Sequence, residues 1–304
     1  MLYSEDMGNY PPVPEPDILP PDPGYMPPPP VERSLRRPRS WWTLAPATYL
    51  LMGINILVFV AMVAHHVSAV TPATDKLMLW GADNAGAVLI YGQWMRIVTA
   101  MFVHVGVVHL ATNMWCLWNL GLLAEPLVGS AGLLAVYILT GAAGNLLSTL
   151  ENWRESYPYL VELVRASHGP PSAGQVLALF PAGAGASGAV FGIAGVLIVL
   201  LKSQRLPVPP LELKKLRKSV IYFAAINLAI GFSISFGAER LGSGLRIDNM
   251  AHLGGFMCGL LFAVPMVPSF GSPRPLFLKK LRLAVVGIVG LLVLFGFFLA
   301  QLPG

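Results

Sequence analysis

The chain has 304 residues, of which 55% are hydrophobic and 12% charged, with a formal net charge of +5 and a mean hydropathy of +0.64. Soluble domains carry about a quarter charged residues, so a soluble globular protein is excluded and an integral membrane protein is indicated. Two cysteines, Cys116 and Cys258, both fall inside apolar stretches. They argue against a disulfide framework and read as packing residues.

The first 31 residues hold eleven prolines and five acids (Glu5, Asp6, Glu15, Asp17 and Asp22), with no Lys or Arg. Such a segment has too little apolar surface to fold and reads as a disordered, partly polyproline II tail. It lacks the basic start and apolar stretch of a signal peptide. The proline run at 27–30 reads as a solvated spacer, with a ligand for a proline-binding module as the alternative. Arg33, Arg36, Arg37 and Arg39, followed by Trp41 and Trp42, form a basic anchor and an interfacial aromatic pair ahead of a first span.

Apolar stretches at 47–67, 104–124, 131–150, 183–201, 219–237, 248–267 and 283–301 predict seven transmembrane helices and an all-α membrane protein. If the N-terminus is inside, fourteen of the twenty basic residues fall in inner segments. That bias places the N-terminus in the cytosol and the C-terminus outside. It also accounts for the net positive charge without a nucleic-acid partner, and the basic segment 202–218 can meet acidic lipid heads.

With this orientation, the second, fourth and sixth spans all run from outside to inside. His109 and Asn113, Ser187, and His252 then lie near the outer ends of these three spans. Polar groups in hydrocarbon are costly and face one another or a water-filled cavity, so four at one depth suggest one site. Ser187, in Gly185-Ala186-Ser187-Gly188, begins the last apolar run before Lys202. A helix from 187 to 201 is about 22 Å long against a hydrocarbon core of about 30 Å, so its hydroxyl sits below the outer surface. The Gly-rich segment before it must dip inward, which is tolerated where it is buried in protein or lines a wet cavity. A helix N-terminus there supplies free N–H groups and the positive end of a dipole.

A serine needs a base to become a nucleophile. His252, in Ala251-His252-Leu253-Gly254-Gly255, is the candidate; a Ser–Lys pairing fails because no lysine lies within a span. Asp248 precedes His252 by four residues and reads as the cap of its helix rather than a third catalytic member, so a Ser–His dyad is expected. His109 and Asn113, also four apart, share a helix face. They either donate to a developing oxyanion or bond neighbouring helices. His104, His65 and His66 read as interfacial or structural. No His, Cys or Asp cluster has the spacing of a metal site, and no cofactor is called for.

These motifs, with His109-Leu110-Ala111-Thr112-Asn113 on an earlier span, closely resemble the rhomboid intramembrane serine proteases. Gln93-Trp94-Met95-Arg96 resembles the tryptophan–arginine signature of that family's first outer loop, and Glu125 matches an acidic residue at the inner end of the second span. The resemblance covers roughly 41–267. It implies a six-helix core at 41–270, with 1–40 as cytosolic tail and 271–304 as a seventh, appended helix. It implies Ser187 as nucleophile, His252 as base, and an oxyanion site from His109, Asn113 and the Ser187 N–H. Substrates would be single-span membrane proteins cut in or near the bilayer. Water would enter by a polar outer cavity, and the fifth helix and an outer loop would gate lateral access. Asn249 also matches a frequent family residue, and Gly185, Gly188, Trp94 and Arg96 would support the site.

One departure is Phe191, where the family often has a Tyr that packs on the histidine; the ring can still stack, but the hydroxyl is gone. The segment 151–181 is expected to be a long outer loop with an amphipathic portion at 157–166 that lies on the membrane. Gly255 and Gly259 form a small-residue face that serves either dimerisation or packing within the chain. An inactive, helix-binding relative is the alternative reading, which the intact Ser187 and His252 oppose. A transporter would carry polar groups through to the inner leaflet. A bacterial plasma membrane is the expected location.

Overall fold

The structure, a computed structural model, describes residues 45–167, 169–202, 209–241, 248–269 and 272–302. The predicted tail with its arginines, Trp41 and Trp42 lies outside the described residues, as do the side chains at 228 and from 230 onward in the predicted span 219–237.

In chain order the elements are α1 (Pro46–Ala64), α2 (Thr74–Leu79), β1 (Asp83–Asn84), α3 (Ala85–Leu89), α4 (Arg96–Thr99), a 3-10 turn (Ala100–Phe102), α5 (Val107–Val128) and α6 (Ser130–Ala166). There follow α7 (Ala173–Ala178), β2 (Ala182–Gly183), α8 (Ser187–Leu200), α9 (Pro210–Leu241), α10 (Asn249–Ala263) with a 3-10 extension (Val264–Ser269), and α11 (Arg274–Ala300). Each of the seven predicted spans falls on one of these helices. Among the described residues, α1, α5, α6, α10 with its extension, and α11 are long and apolar enough to cross a bilayer. The fold is that of an all-α, multi-pass membrane protein, with β1 and β2 forming a two-residue antiparallel bridge.

The helix α8 has 14 residues, about 21 Å of length, shorter than the hydrocarbon core. Eleven of its residues are buried, so it is an inner rod rather than a lipid-facing span. It runs parallel to α10 at backbone contact: Gly188 meets Gly255 and Gly192 meets Gly259, where a Cβ on either α10 glycine would collide with a carbonyl oxygen of α8. The glycine face at Gly255 and Gly259 thus packs within the chain, as small residues do between membrane helices. The helix α6 closes the trio from a third side, antiparallel to α10, with Gly144 against the Ala251 carbonyl and Leu139 near Cys258.

Buried polar pairs tie the outer helices to this trio. Glu125 of α5 accepts from Ala47 N and Thr48 N (both 2.8 Å), Thr48 Oγ1 (2.7 Å) and Ser130 Oγ (2.6 Å). A carboxylate there satisfies the orphan N–H groups at the start of α1 and complements its dipole. Asn55 of α1 donates to the Tyr137 hydroxyl of α6 at 3.0 Å.

One expectation fails. Residues 151–166 continue α6, which reaches 37 residues and about 55 Å, instead of forming part of a loop. The stretch before Pro158 lacks a helix breaker. Its Trp153 is buried and stacks on Phe180 (5.6 Å, 9°), so tertiary packing rewards the extra turns. Pro158 lies inside the helix without ending it.

Candidate active site

The helix α8 begins at Ser187, after Ala186, and no side chain caps it. The N–H groups of its first turn therefore have no partner within the helix. The approach to it is strapped down. Asn84, the cap of α3, donates from Nδ2 to Phe180 O (2.8 Å) and Leu177 O (3.2 Å), and Asp83 and Asn84 pair with Gly183 and Ala182. Gly185 N donates to Ala100 O at 2.9 Å. Gly185 has φ +134°, a conformation that side chains oppose, and the His109 ring occupies the place a Cβ would take, with Cε1 2.6 Å and Nε2 3.0 Å from that point. His109 on α5 is thereby held two residues from Ser187.

His252 lies in the first turn of α10 and is buried. Its ring stacks on Phe191, one turn after Ser187 on α8, at 4.4 Å between centroids and 14° between planes. Phe191 therefore does the stacking without a hydroxyl. Next to His252, the Ala251 carbonyl lies 3.2 Å from where a Cβ on Gly188 would be, so the residue after the serine touches the residue before the histidine. Among the described residues, Nδ1 of His252 is buried with no hydrogen-bond partner. Asp248 caps α10 instead, accepting from Ala251 N at 2.9 Å, as its spacing suggested.

Ser187, His252 and His109 thus gather at the N-terminal ends of three helices. Asn113, buried one turn below His109, donates one amide hydrogen to the His109 carbonyl at 2.9 Å, which leaves its second N–H and Oδ1 for other partners. Asn249 is buried at the first position of α10. Arg96 binds the segment before α5 together: Nη1 donates to Met78 O (2.8 Å) and Ala82 O (2.7 Å), and Nε to Gln93 Oε1 (2.6 Å). Trp94 packs towards Gly296 of α11, with 3.7 Å between its ring and the site of a Cβ there.

Two features escaped the sequence reading. Of the two readings of His104, interfacial or structural, burial fits the second, but its ring lies 5.4 Å from that of His109, a neighbour the spacing did not indicate. Its spacing of five from His109 matches no helix face because Gly106, at φ +109°, breaks the chain direction between them. The strap formed by Asp83 and Asn84 joins residues about a hundred positions apart, and neither residue belongs to a motif.

Comparison with known proteins agrees with this geometry. A family model, the Rhomboid domain, matches residues 91–269. The rhomboid protease GluP of Bacillus subtilis is 28% identical over 251 residues, covering 83% of this chain and 40% of that protein. The rhomboid protease AarA of Providencia stuartii is 29% identical over 233 residues, covering 72% of each chain. RHOMBOID-like protein 1 of Arabidopsis thaliana is 28% identical over 204 residues, covering 66% of this chain and 42% of that protein. The chain thus spans less than half the length of two of these relatives and most of the third. Since the model covers more than half of the chain and contains every residue of the site, this protein belongs to the rhomboid family.

Proposed function

We propose that the protein is an intramembrane serine endopeptidase that cleaves single-span membrane proteins in or near their transmembrane segments. The observation that carries this reading is the uncapped start of α8 at Ser187, held in backbone contact with the helix of His252 while the His109 ring rests on Gly185. Proteases among the relatives support the reaction class.

In the proposed reaction the Ser187 hydroxyl attacks the scissile carbonyl as His252 takes its proton. The tetrahedral oxyanion is met by the Ser187 N–H, His109 and Asn113, in a site where one such donor is worth about 2.7–4 kcal/mol. His252 then gives its proton to the leaving amine, and water, deprotonated by the same ring, releases the acyl group. With Nδ1 of His252 buried and unpaired among the described residues, ring orientation falls to the stack on Phe191 rather than to a carboxylate. Asn113 donates its second amide hydrogen, the first being held by the His109 carbonyl. Residues 41–270 would form the proteolytic core, with the site on the outer side of a bacterial plasma membrane.

The test is cleavage of a model single-span substrate in liposomes. Ser187→Ala and His252→Ala should each abolish it, whereas Asn113→Ala should lower kcat more than it raises KM. Cleavage undiminished in either of the first two rejects the dyad, and a wild-type protein inert towards single-span substrates would favour the helix-binding alternative.

A further inference from the structure

Two carboxyl groups meet just outside the catalytic pair. A Cβ built on Gly183 would lie 3.4 Å from Asp248 Oδ2 and 3.6 Å from Asp83 Cβ, so the two aspartates flank one point of the loop that leads to Ser187. Asp83 is buried in β1, which pairs with that loop, and Asp248 caps the helix of His252. Adjacent hydroxyls of α6 reach them: Ser148 Oγ lies 2.5 Å from Asp248 Oδ2 and Thr149 Oγ1 lies 3.0 Å from Asp83 Oδ2.

The hydrogen-bond partners of the two groups differ. Ser148 Oγ receives the Asn152 amide at 3.1 Å, so its own proton is free for Asp248 Oδ2. Asp248 Oδ1 accepts from Ala251 N, so both of its oxygens act as acceptors, as in a carboxylate. Thr149 has one proton and a second acceptor, Asn145 O, at 2.8 Å. That proton serves one of the two acceptors at a time: aimed at Asn145 O it leaves a lone pair facing Asp83 Oδ2, so Thr149 accommodates a neutral Asp83 as well as a charged one. Asp83 Oδ1 meanwhile accepts from Asn84 N at 2.9 Å.

We propose that Asp83 and Asp248 act as a one-proton carboxyl pair, Asp83 neutral and Asp248 charged, that positions the Ser187 loop against the start of the His252 helix. Both are positioning residues, and their effect on cleavage rests on the proteolytic reading above. Burial, with Asp248 adding repulsion, raises the Asp83 carboxyl from its ordinary range to about 7, against the pull of Thr149, Asn84 and Arg96. Among the described residues, the charged and titratable groups facing the pair are Arg96 of α4, which acts on Asp83 through space while its guanidinium binds carbonyls, and His252, one turn along α10 from Asp248. Asp248 has a further interaction besides these; Arg246, two residues before it, lies outside the described residues.

Because Asp83 holds its proton to about pH 7 when folded and releases it near pH 4 when unfolded, the folded state binds more protons in that interval. Stability therefore falls as pH rises through it, by up to about a thousandfold in the folding equilibrium, and levels off above. Asp83→Asn reproduces the neutral form, with Oδ1 accepting from Asn84 and Nδ2 donating to Thr149.

The experiment uses the full chain in liposomes. Infrared titration of the wild type should show a protonated carboxyl band that disappears with a midpoint near pH 7, persists in Ser187→Ala, is missing in Asp83→Asn and shifts to lower pH in Asp248→Asn. This arm reads the pair whether or not the protein is a protease. A titrating band that Asp83→Asn leaves intact, or no band at pH 6, overturns the proposal. In the cleavage arm, the wild-type rate should fall about tenfold between pH 7 and 9. Asp83→Asn should match wild type within about twofold at pH 6 and keep its rate at pH 9. Asp248→Asn should be slow throughout. Parallel wild-type and Asp83→Asn profiles overturn the positioning role.

Discussion

Replacing Gly185 by Ala tests how the candidate site is assembled. The new methyl group would lie 2.6 Å from Cε1 and 3.0 Å from Nε2 of His109. Carbon contacts settle near 3.5–4.0 Å, so the imidazole has to retreat by about 1 Å. A shift of about 1 Å in a catalytic group costs on the order of 10²-fold, similar to removing one oxyanion donor outright. The φ of +134° at this position adds about 1–3 kcal/mol of strain, which should appear as lost stability, not lost turnover. The assay is kcat and KM for a single-span substrate in liposomes, alongside thermal unfolding in detergent. The expected result is a fall of about 10²-fold in kcat with KM nearly unchanged. A control, Gly183→Ala, has room for its methyl and should stay close to wild type at acid pH. If His109 mediates the effect, Gly185→Ala added to His109→Ala should cost little more turnover than His109→Ala alone. Full additivity of the two changes, or wild-type kcat in Gly185→Ala, would refute the reasoning.

Phe191→Ala removes the ring stacked on His252 and leaves a cavity between α8 and its neighbours, so it should lose about 3–5 kcal/mol of stability and lower kcat. Phe191→Tyr keeps the stack and should retain turnover; kinetics and unfolding curves of both variants check this. Arg96→Lys should reduce stability by about 2 kcal/mol, since an ammonium cannot reproduce the planar fork that joins Met78, Ala82 and Gln93. Its kcat should change less than that of Phe191→Ala, because Arg96 organises the loop between Met78 and Gln93 rather than the surroundings of Ser187 and His252.

The helices were legible from apolar run lengths because each must satisfy its own backbone in lipid. Ser187, His252, His109 and Asn113 stood out for a related reason: polar groups are rare in hydrocarbon, so each one in a span is informative. The capping role of Asp248 was legible from its position just ahead of an apolar helix. The continuation of α6 to Ala166 was not, because polar residues of that segment look like loop until Trp153 is seen stacked on Phe180.

Composition and spacing thus established a multi-pass membrane protein and named the candidate side chains of its site, since hydropathy and local periodicity are written residue by residue. They left open whether Gly255 and Gly259 join two chains or two helices of one, and where His104 lies. Those answers, and the meeting of Asp83 with Asp248 across Gly183, depend on contacts between residues far apart in sequence. Such contacts follow from how close two backbones approach and which buried groups remain to be satisfied there, and neither quantity belongs to any single segment of chain.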